Sequence, residues 1–420
     1  MNRISRLSLS ILLLALALAP LPAWGALKKM FVTSIAGSTK LSLWPQAQGA
    51  VGLAAGDEIC RTLAEDASLP NFASYRAWLS NATSDAYCRV AGFSGKKSTN
   101  CGQVSLPEAG PWQRVDGKPF ARSLSQLTEE LALLHPPLVN ELGGLASAGT
   151  TVHTGTEADG TVWGDFHCVG WTADAVGNER FGYLPTGTSM WSSYGQSVCG
   201  ASSKPLYCFE PGIGDPLPQF EAPGALVFLS SVYDAGDLGN WNEAGAATGL
   251  AAGDAICRSL AETAALPSPQ SFVAWLSNDA VDAIDRVTTN GPFKRIDGVE
   301  IAASKSELVV ATIGAYAIET AIVVDEHGEY SGNQGQSSWT GSNELGERVA
   351  DDNCAGWTSG DGSEVGRCGL PYTVRSYWTS STPAPACSSQ RRLYCFSNVI
   401  TIFWDGFESA TTDRWSATVL

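Results

Sequence analysis

Four histidines are the residues of this chain best suited to acid–base or metal chemistry: His135, His153, His167 and His327. None stands in a metal-ligand spacing such as His-Glu-x-x-His, and no Gly-x-Ser-x-Gly motif marks a nucleophile. The sequence therefore predicts a protein that is not an enzyme. It names no catalytic residue, no metal ligand and no cofactor.

A second group of possible ligands is a short acidic and amide-rich segment. Its members are Asp234, Asp237, Asn240, Asn242 and Glu243. Oxygen ligands in a loop are what calcium prefers, but the spacing is not that of an EF-hand. A solvated loop is the default interpretation, and calcium stays an open alternative.

The first 25 residues have the pattern of a secretory signal peptide. Arg3 and Arg6 precede an apolar run at 11–18, and Ala-Trp-Gly at 23–25 fits the cleavage rule, with cleavage after Ala26 as the neighbouring option. The run is too short to span a bilayer, which takes roughly 20 apolar residues. We expect export through the Sec pathway to a secreted or cell-surface location, with no membrane span.

The charge of the chain is strongly acidic. It has 26 basic and 42 acidic residues, and the signal peptide removes two basic ones, so the mature balance is 24 − 42 = −18. Such a surface repels nucleic acid, heparin-like polyanions and anionic lipid. We therefore expect no nucleic-acid partner.

An internal duplication organises the chain. Gly-Leu-Ala-Ala-Gly-Asp occupies 52–57 and again 249–254, and Ala-Trp-Leu-Ser-Asn occupies 77–81 and again 274–278, both at an offset of 197. Cys-x-Gly-Trp recurs at 168–171 and 354–357, and Leu-Tyr-Cys-Phe closes each repeat at 206–209 and 393–396. Repeats of this length are duplicated domains rather than solenoid units.

The domain boundaries follow from this duplication. Copy one is 27–212 and copy two is 224–398, with a Pro- and Gly-rich linker at 213–223 and a tail at 399–420. Such a linker predicts that each copy folds independently. The tail segment 402–409 resembles a short segment found at the C-terminus of many exported proteins of Gram-negative bacteria, where it would serve sorting or docking; an extra edge strand is the alternative.

The eleven cysteines fit an exported, disulfide-bonded chain. Copy one holds 16 extra residues, because the offset falls from 197 at Ser80 to 181 at Arg114. Cys88 and Cys101 lie in this insertion, which most simply closes on itself. Four cysteines of each copy match, and Cys368 has no counterpart and is the expected free thiol.

Local patterns predict a mixed, loop-rich fold. Asp57 is placed near the start of an amphipathic helix, where its charge suits the helix dipole. Leu124, Leu127, Leu131 and Leu134 predict a second helix in copy one. Segments 272–276 and 393–396 predict strands.

The tryptophans fall into two classes. Three pairs occur in both copies and are expected in the core: Trp78 and Trp275, Trp171 and Trp357, Trp191 and Trp378. Three others have no identical counterpart in this comparison and are candidates for surface contact: Trp112, Trp163 and Trp241. Exposed aromatic residues are common binding anchors.

Taken in order, these motifs resemble the endostatin-like branch of the C-type-lectin-like fold, and they are most similar to bacterial endostatin-like surface proteins. The resemblance spans nearly all of both copies. It implies an α+β fold with two tandem C-type-lectin-like (endostatin-like) domains, loop-rich and disulfide-stapled. It also implies a pairing of the matched cysteines: Cys60 with Cys208, Cys168 with Cys199, Cys257 with Cys395, and Cys354 with Cys387.

Some family properties do not carry over. The N-terminal histidines that bind zinc in animal endostatins are missing. Heparin binding in those proteins uses surface arginines, whereas this chain is strongly acidic. The calcium-and-sugar triplets of true C-type lectins are also absent. The expected function is a secreted or surface-exposed binding or adhesion protein for an extracellular protein or glycan. The alternatives are a structural envelope-associated protein without a specific ligand and, last, a glycan hydrolase; the ligand and the oligomeric state stay open.

Overall fold

The computed structural model describes residues 27–218, 223–330 and 337–402. The predicted signal peptide and most of the predicted tail lie outside these residues. Helix and strand occur in similar amounts, 24% and 22%, so the predicted α+β class is confirmed. Among the described residues, no helix has the length and apolar character needed to cross a membrane.

The elements of the two copies follow each other in nearly the same order. The strands of copy one are β1 (Lys28–Val32), β2 (Arg76–Ala77), β3 (Trp112–Arg114), β4 (Pro119–Ala121), β5 (Thr151–His153), β6 (Asn178–Tyr183), β7 (Gly195–Val198) and β8 (Tyr207–Phe209). The strands of copy two are β9 (Ala225–Leu229), β10 (Phe272–Ala274), β11 (Phe293–Arg295), β12 (Glu300–Ala302), β13 (Ser338–Trp339), β14 (Cys368–Gly369) and β15 (Tyr394–Ser397). The helices are α1 (Gly52–Asp66), α2 (Ala86–Val90), α3 (Cys168–Trp171), α4 (Gly249–Thr263), α5 (Ala283–Arg286) and α6 (Cys354–Trp357).

Each copy is built on one five-stranded sheet, and the two sheets have the same topology. The strand order is β2-β8-β1-β3-β4 in copy one and β10-β15-β9-β11-β12 in copy two. In both sheets the first strand of the copy runs parallel to one neighbour and antiparallel to the other. The repeat in the sequence is therefore also a repeat of the fold.

The long helix of each copy packs on the sheet through one apolar face. In α1 the buried positions are 52, 55, 56, 59, 60, 63 and 64, which is the stripe of a 3.6-residue period. Gly56 is required by close packing, because a Cβ there would lie 2.7 Å from Leu79 Cδ1. In copy two Gly253 meets Leu276 at the same distance, 2.7 Å.

The prediction that Asp57 lies near the start of the helix is wrong. Since α1 begins at Gly52, Asp57 lies in the second turn, where its carboxylate accepts the Ala77 N–H at 2.9 Å and pairs with Arg89. The equivalent residues in copy two make the same contacts: Asp254, Ala274 and Arg286. This carboxylate joins the helix to the sheet rather than capping the helix.

The predicted second helix of copy one is also wrong in extent. Only a five-residue π-helix, Gln126–Glu130, forms. Leu131 ends it in the left-handed conformation with φ 61°, while Leu124, Leu127 and Leu134 are buried. The leucines repeat because this segment crosses the core, not because it continues as a helix.

Five disulfides hold the loops of the two copies. The pairs are Cys60–Cys208, Cys88–Cys101, Cys168–Cys199, Cys257–Cys395 and Cys354–Cys387. These are the pairs implied by the resemblance and by the insertion. The first and fourth pairs tie the long helix of a copy to the last strand of that copy, β8 or β15. Cys368 is free and buried.

The two copies meet along an extensive contact, here called the seam. Thr186 of copy one forms an antiparallel bridge with Thr373 of copy two. These two threonines occupy equivalent positions of the repeat, because they are 187 residues apart, as are Trp191 and Trp378. Two backbone hydrogen bonds flank the bridge: Gly187 N–H to Tyr372 O at 2.8 Å, and Val374 N–H to Pro185 O at 3.2 Å. Because equivalent segments of the two copies bond to each other in antiparallel orientation, a local pseudo-twofold axis relates the two copies at the seam.

The apolar core is continuous across the seam. One cluster of buried residues contains Trp78 and Trp191 of copy one together with Trp275 and Trp378 of copy two. The two copies are therefore joined by an apolar contact as well as by the linker. The linker itself begins by packing on copy one, since the Gly214 N–H donates to Gly110 O at 2.8 Å.

Candidate functional site

The buried His153–Glu179–Lys204 cluster of copy one has the residue types of a catalytic centre. The His153 Nδ1 and Lys204 Nζ atoms both contact the Glu179 carboxylate, and His153 Nε2 lies 3.0 Å from Gly37 O. Burial alone would raise the pKa of Glu179, but the hydrogen bonds and charges of His153 and Lys204 outweigh it and lower that pKa. All three side chains are nearly inaccessible to solvent.

Copy two shows that this cluster fills space in the core. The position of His153 is held by Trp339, whose indole N–H donates to Asp234 O at 3.2 Å, and Asp234 is the equivalent of Gly37. The position of Glu179 is held by Gly366, where a Cβ would lie 2.8 Å from the Trp339 ring. One tryptophan and one glycine thus replace the polar pair, which assigns the pair a packing role.

The other three histidines make separate contacts. His167 Nδ1 accepts the Gly170 N–H at 2.9 Å, which is a helix-capping contact that Asn353 makes in copy two. His135 is buried near the seam, and His327 lies exposed in a turn. In the described part of the chain, no group of three or more His, Cys, Asp or Glu side chains is arranged to hold a metal ion.

The acidic segment of copy two is internally hydrogen-bonded. The Asn240 amide donates to Asp237 Oδ2 at 2.8 Å, and Asp234 Oδ1 accepts the Ala235 N–H at 2.8 Å. Asn242 and Glu243 belong to a short 3-10 helix, Asn242–Ala244. These five residues therefore lie in a loop that contains two short 3-10 helices, Leu238–Asn240 and Asn242–Ala244.

Two of the three tryptophans proposed for surface contact are in the core. Trp112 is fully buried and Trp241 is 4% exposed. Trp241 has an equivalent after all, since Trp44 lies 197 residues before it and each indole N–H donates to a backbone carbonyl six residues upstream. Trp163 is half-buried between Phe166, stacked at 5.0 Å, and Arg180, whose guanidinium carbon lies 3.5 Å from the indole centroid.

A second group of partly exposed aromatic residues consists of tyrosines at the seam. We call Tyr183, Tyr194, Tyr372, Arg375 and Tyr377 the seam cluster. The Tyr183 and Tyr194 rings stack with centroids 4.8 Å apart at 24°. Tyr183 ends β6 and Tyr194 directly precedes β7, so this hairpin of copy one presents both rings.

Copy two completes the cluster with an arginine. Arg375 donates from Nη1 to the Tyr183 hydroxyl at 2.9 Å, and its guanidinium carbon lies 4.7 Å from the Tyr377 ring centroid. Arg375 Nε also donates to Gly314 O, which fixes the guanidinium. The site is therefore composite, because neither copy holds it alone.

The seam cluster occurs on one side of the pseudo-twofold axis only. In copy two the equivalents of Tyr183 and Tyr194 are Leu370 and Ser381. In copy one the equivalents of the copy-two members are Pro185, Thr188 and Met190. The fold is built without these aromatic residues on the other side, so the seam cluster is not a requirement of the fold.

The hydroxyls of Tyr183 and Tyr372 stay protonated at neutral pH. Burial raises the pKa of Tyr372 to about 12, and the nearby Tyr194 and Tyr183 contribute. Burial also raises the pKa of Tyr183, although Arg375 opposes this. The cluster therefore offers neutral hydroxyl donors, aromatic faces and one cation.

Sequence reasoning did not find the seam cluster. The sequence holds a signal for two of its members, because Tyr183 and Tyr194 are aromatic residues of copy one whose equivalents in copy two, Leu370 and Ser381, are not aromatic. The participation of copy two could not be found in this way, because it depends on how the copies meet.

No protein-family model matches the chain, and no curated protein is similar to it.

Proposed function

We propose that this chain is an exported protein, secreted or displayed at the cell surface, that binds an extracellular ligand through two C-type-lectin-like domains of the endostatin-like type. Five disulfides support the extracellular location. The lectin-like assignment rests on the resemblance of the repeated motifs. The ligand-binding role does not depend on it.

The seam cluster is the observation that carries the binding role. Its stacked tyrosines are partly exposed, with Tyr194 45% accessible. Tyrosine and arginine are the residue types that dominate binding hot spots. The chemistry-bearing residues elsewhere, such as His153 and Glu179, are buried in packing contacts, and this favours binding over catalysis.

A panel experiment tests this function. The mature chain is immobilised and exposed to neutral glycans, basic matrix proteins and heparin at low and high salt. Saturable binding to a neutral or basic ligand, without heparin binding, is the expected result. Binding to a basic protein should weaken with salt because the screening length is about 8 Å near physiological ionic strength, whereas binding to a neutral glycan should not change.

Two results would replace the proposal. Absence of saturable binding to every class would favour a structural envelope-associated protein. Turnover of chromogenic glycoside substrates by the same preparation, lost on substitution of an exposed carboxylate, would favour a hydrolase.

A further inference from the structure

The geometry of the seam cluster indicates what kind of ligand it takes. The Tyr194 ring is the accessible layer of the stack, and Tyr183 supports it from behind at 4.8 Å. Arg375 holds the Tyr183 hydroxyl at 2.9 Å, so the supporting ring is fixed by a residue of the other copy. An aromatic face fixed in this way is prepared for contact before any ligand arrives, which lowers the entropy cost of binding.

A sugar ring matches this arrangement of groups. One face of a pyranose is a patch of C–H bonds that can lie on an aromatic ring, and its rim carries hydroxyls that need donors and acceptors. The tyrosine hydroxyls and the Arg375 guanidinium supply polar groups at the edge of the stack. Tyr377, with Arg375 4.7 Å from its ring centroid, adds a second aromatic surface beside it.

The charge of the protein selects among glycans. The chain carries a net charge of −16, which repels sulfated and uronate-rich polymers at long range. One arginine, already bonded to the Tyr183 hydroxyl and to Gly314 O, does not make the cluster a polyanion site. A neutral glycan meets no such barrier.

We propose that the seam cluster binds a neutral oligosaccharide by stacking a sugar ring on Tyr194, with Tyr183 and Arg375 as supporting residues. This proposal rests on the proposed binding function and adds the ligand class and the site. It predicts one glycan site for each chain, because the pseudo-equivalent side has Leu370 and Ser381 in place of the tyrosines.

The test measures affinities of the mature chain for neutral cello-, xylo-, manno- and chito-oligosaccharides by calorimetry. Tyr194→Ala should weaken the affinity for whichever oligosaccharide binds the wild type. The expected loss is at least about tenfold, because an aromatic anchor is removed. Tyr194→Phe should retain most of the affinity because the ring is kept. Tyr377→Ala is a second variant, expected to weaken binding less.

The matched control is Tyr233→Ala. Tyr233 is 46% exposed, against 45% for Tyr194, and it also has an arginine, Arg392, with its guanidinium carbon 5.7 Å from its ring centroid. Its substitution should leave the affinity unchanged. Near-ultraviolet circular dichroism of each variant verifies the fold.

Each other outcome has a definite meaning. Equal binding by wild type, Tyr194→Ala and Tyr233→Ala would overturn the site. Binding of heparin in the binding panel, without binding of any neutral oligosaccharide, would overturn the ligand class. Binding of a protein ligand but of no neutral oligosaccharide would overturn this inference and leave the proposed function standing. Binding of nothing in either panel would overturn both.

Discussion

At the scale of single residues, the duplication shows which polar side chains belong to packing. Position 153 is histidine in copy one, and its equivalent, 339, is tryptophan in copy two, yet both side chains contact the same backbone carbonyl position. The same comparison applies to His135, whose equivalent in copy two is Thr320. The Thr320 hydroxyl donates to Leu134 O across the seam at 2.5 Å.

His135 should make the protein sensitive to mild acid. Burial, together with the charges of Arg114, Arg295 and Lys118, lowers its pKa from 6.5 to about 3, although a hydrogen bond with Pro119 O opposes this. The unfolded chain therefore takes up a proton below pH 6.5 that the folded chain does not. Stability contributed by the neutral ring is full above pH 6.5 and is lost as pH falls toward 3.

The substitution His135→Thr should remove this acid sensitivity. Each pH unit below 6.5 costs the wild type about 1.4 kcal/mol through this group, so the variant should gain about 2 kcal/mol relative to wild type between pH 7.5 and 5. Urea unfolding at several pH values measures this difference. Substitution of the exposed His327 is the control, and parallel stability curves for wild type and His135→Thr would contradict the assignment.

At the scale of elements, short-range patterns were sufficient where packing agrees with them. The apolar stripe around Ile59 and Leu63 predicted α1, and Leu-Tyr-Cys-Phe at 393–396 predicted β15 to within one residue. The leucine pattern at 124–134 predicted a helix that forms only at Gln126–Glu130. These leucines are spaced as they are because they are buried in a core that is shared with copy two. A local pattern cannot distinguish this kind of burial from the apolar face of a helix.

The cysteine framework is the element-scale prediction. Peptide mapping without reduction should recover the five described pairs, and Cys368 should be the free thiol. Burial raises the pKa of Cys368, so it should react with maleimide only after unfolding. A Cys60–Cys168 peptide, or rapid labelling of the folded protein, would contradict the described framework.

At the scale of the whole molecule, the seam makes the two copies one body. The sequence supplied the duplication and the linker, and the linker predicted that each copy folds independently. Contacts such as Arg295 Nη1 to Leu133 O at 3.2 Å join residues far apart in the sequence, and no periodicity indicates them. We therefore expect the mature chain to unfold in a single cooperative transition, in place of the independent folding predicted from the linker.

Substitution of one glycine at the seam by alanine tests the contact between the two copies. A Cβ on Gly187 would lie 2.6 Å from the Ala321 Cβ of the other copy, whereas a Cβ on exposed Gly362 would meet Ser388 Oγ at 3.4 Å. Gly187→Ala should lower the free energy of unfolding by about 1–3 kcal/mol through overpacking, and Gly362→Ala should leave it within about 0.5 kcal/mol. Calorimetric unfolding measures both, and two separate transitions in the wild type would contradict one body.

The central claim is that ligand binds at a site built from both copies. The direct measurement is amide hydrogen exchange of the mature chain with and without the tightest ligand from the binding panel. Ligand should protect peptides covering 183–194 of copy one and peptides covering 372–377 of copy two together, in the same concentration range. Protection confined to one copy, or protection elsewhere with no change at these two segments, would contradict the account.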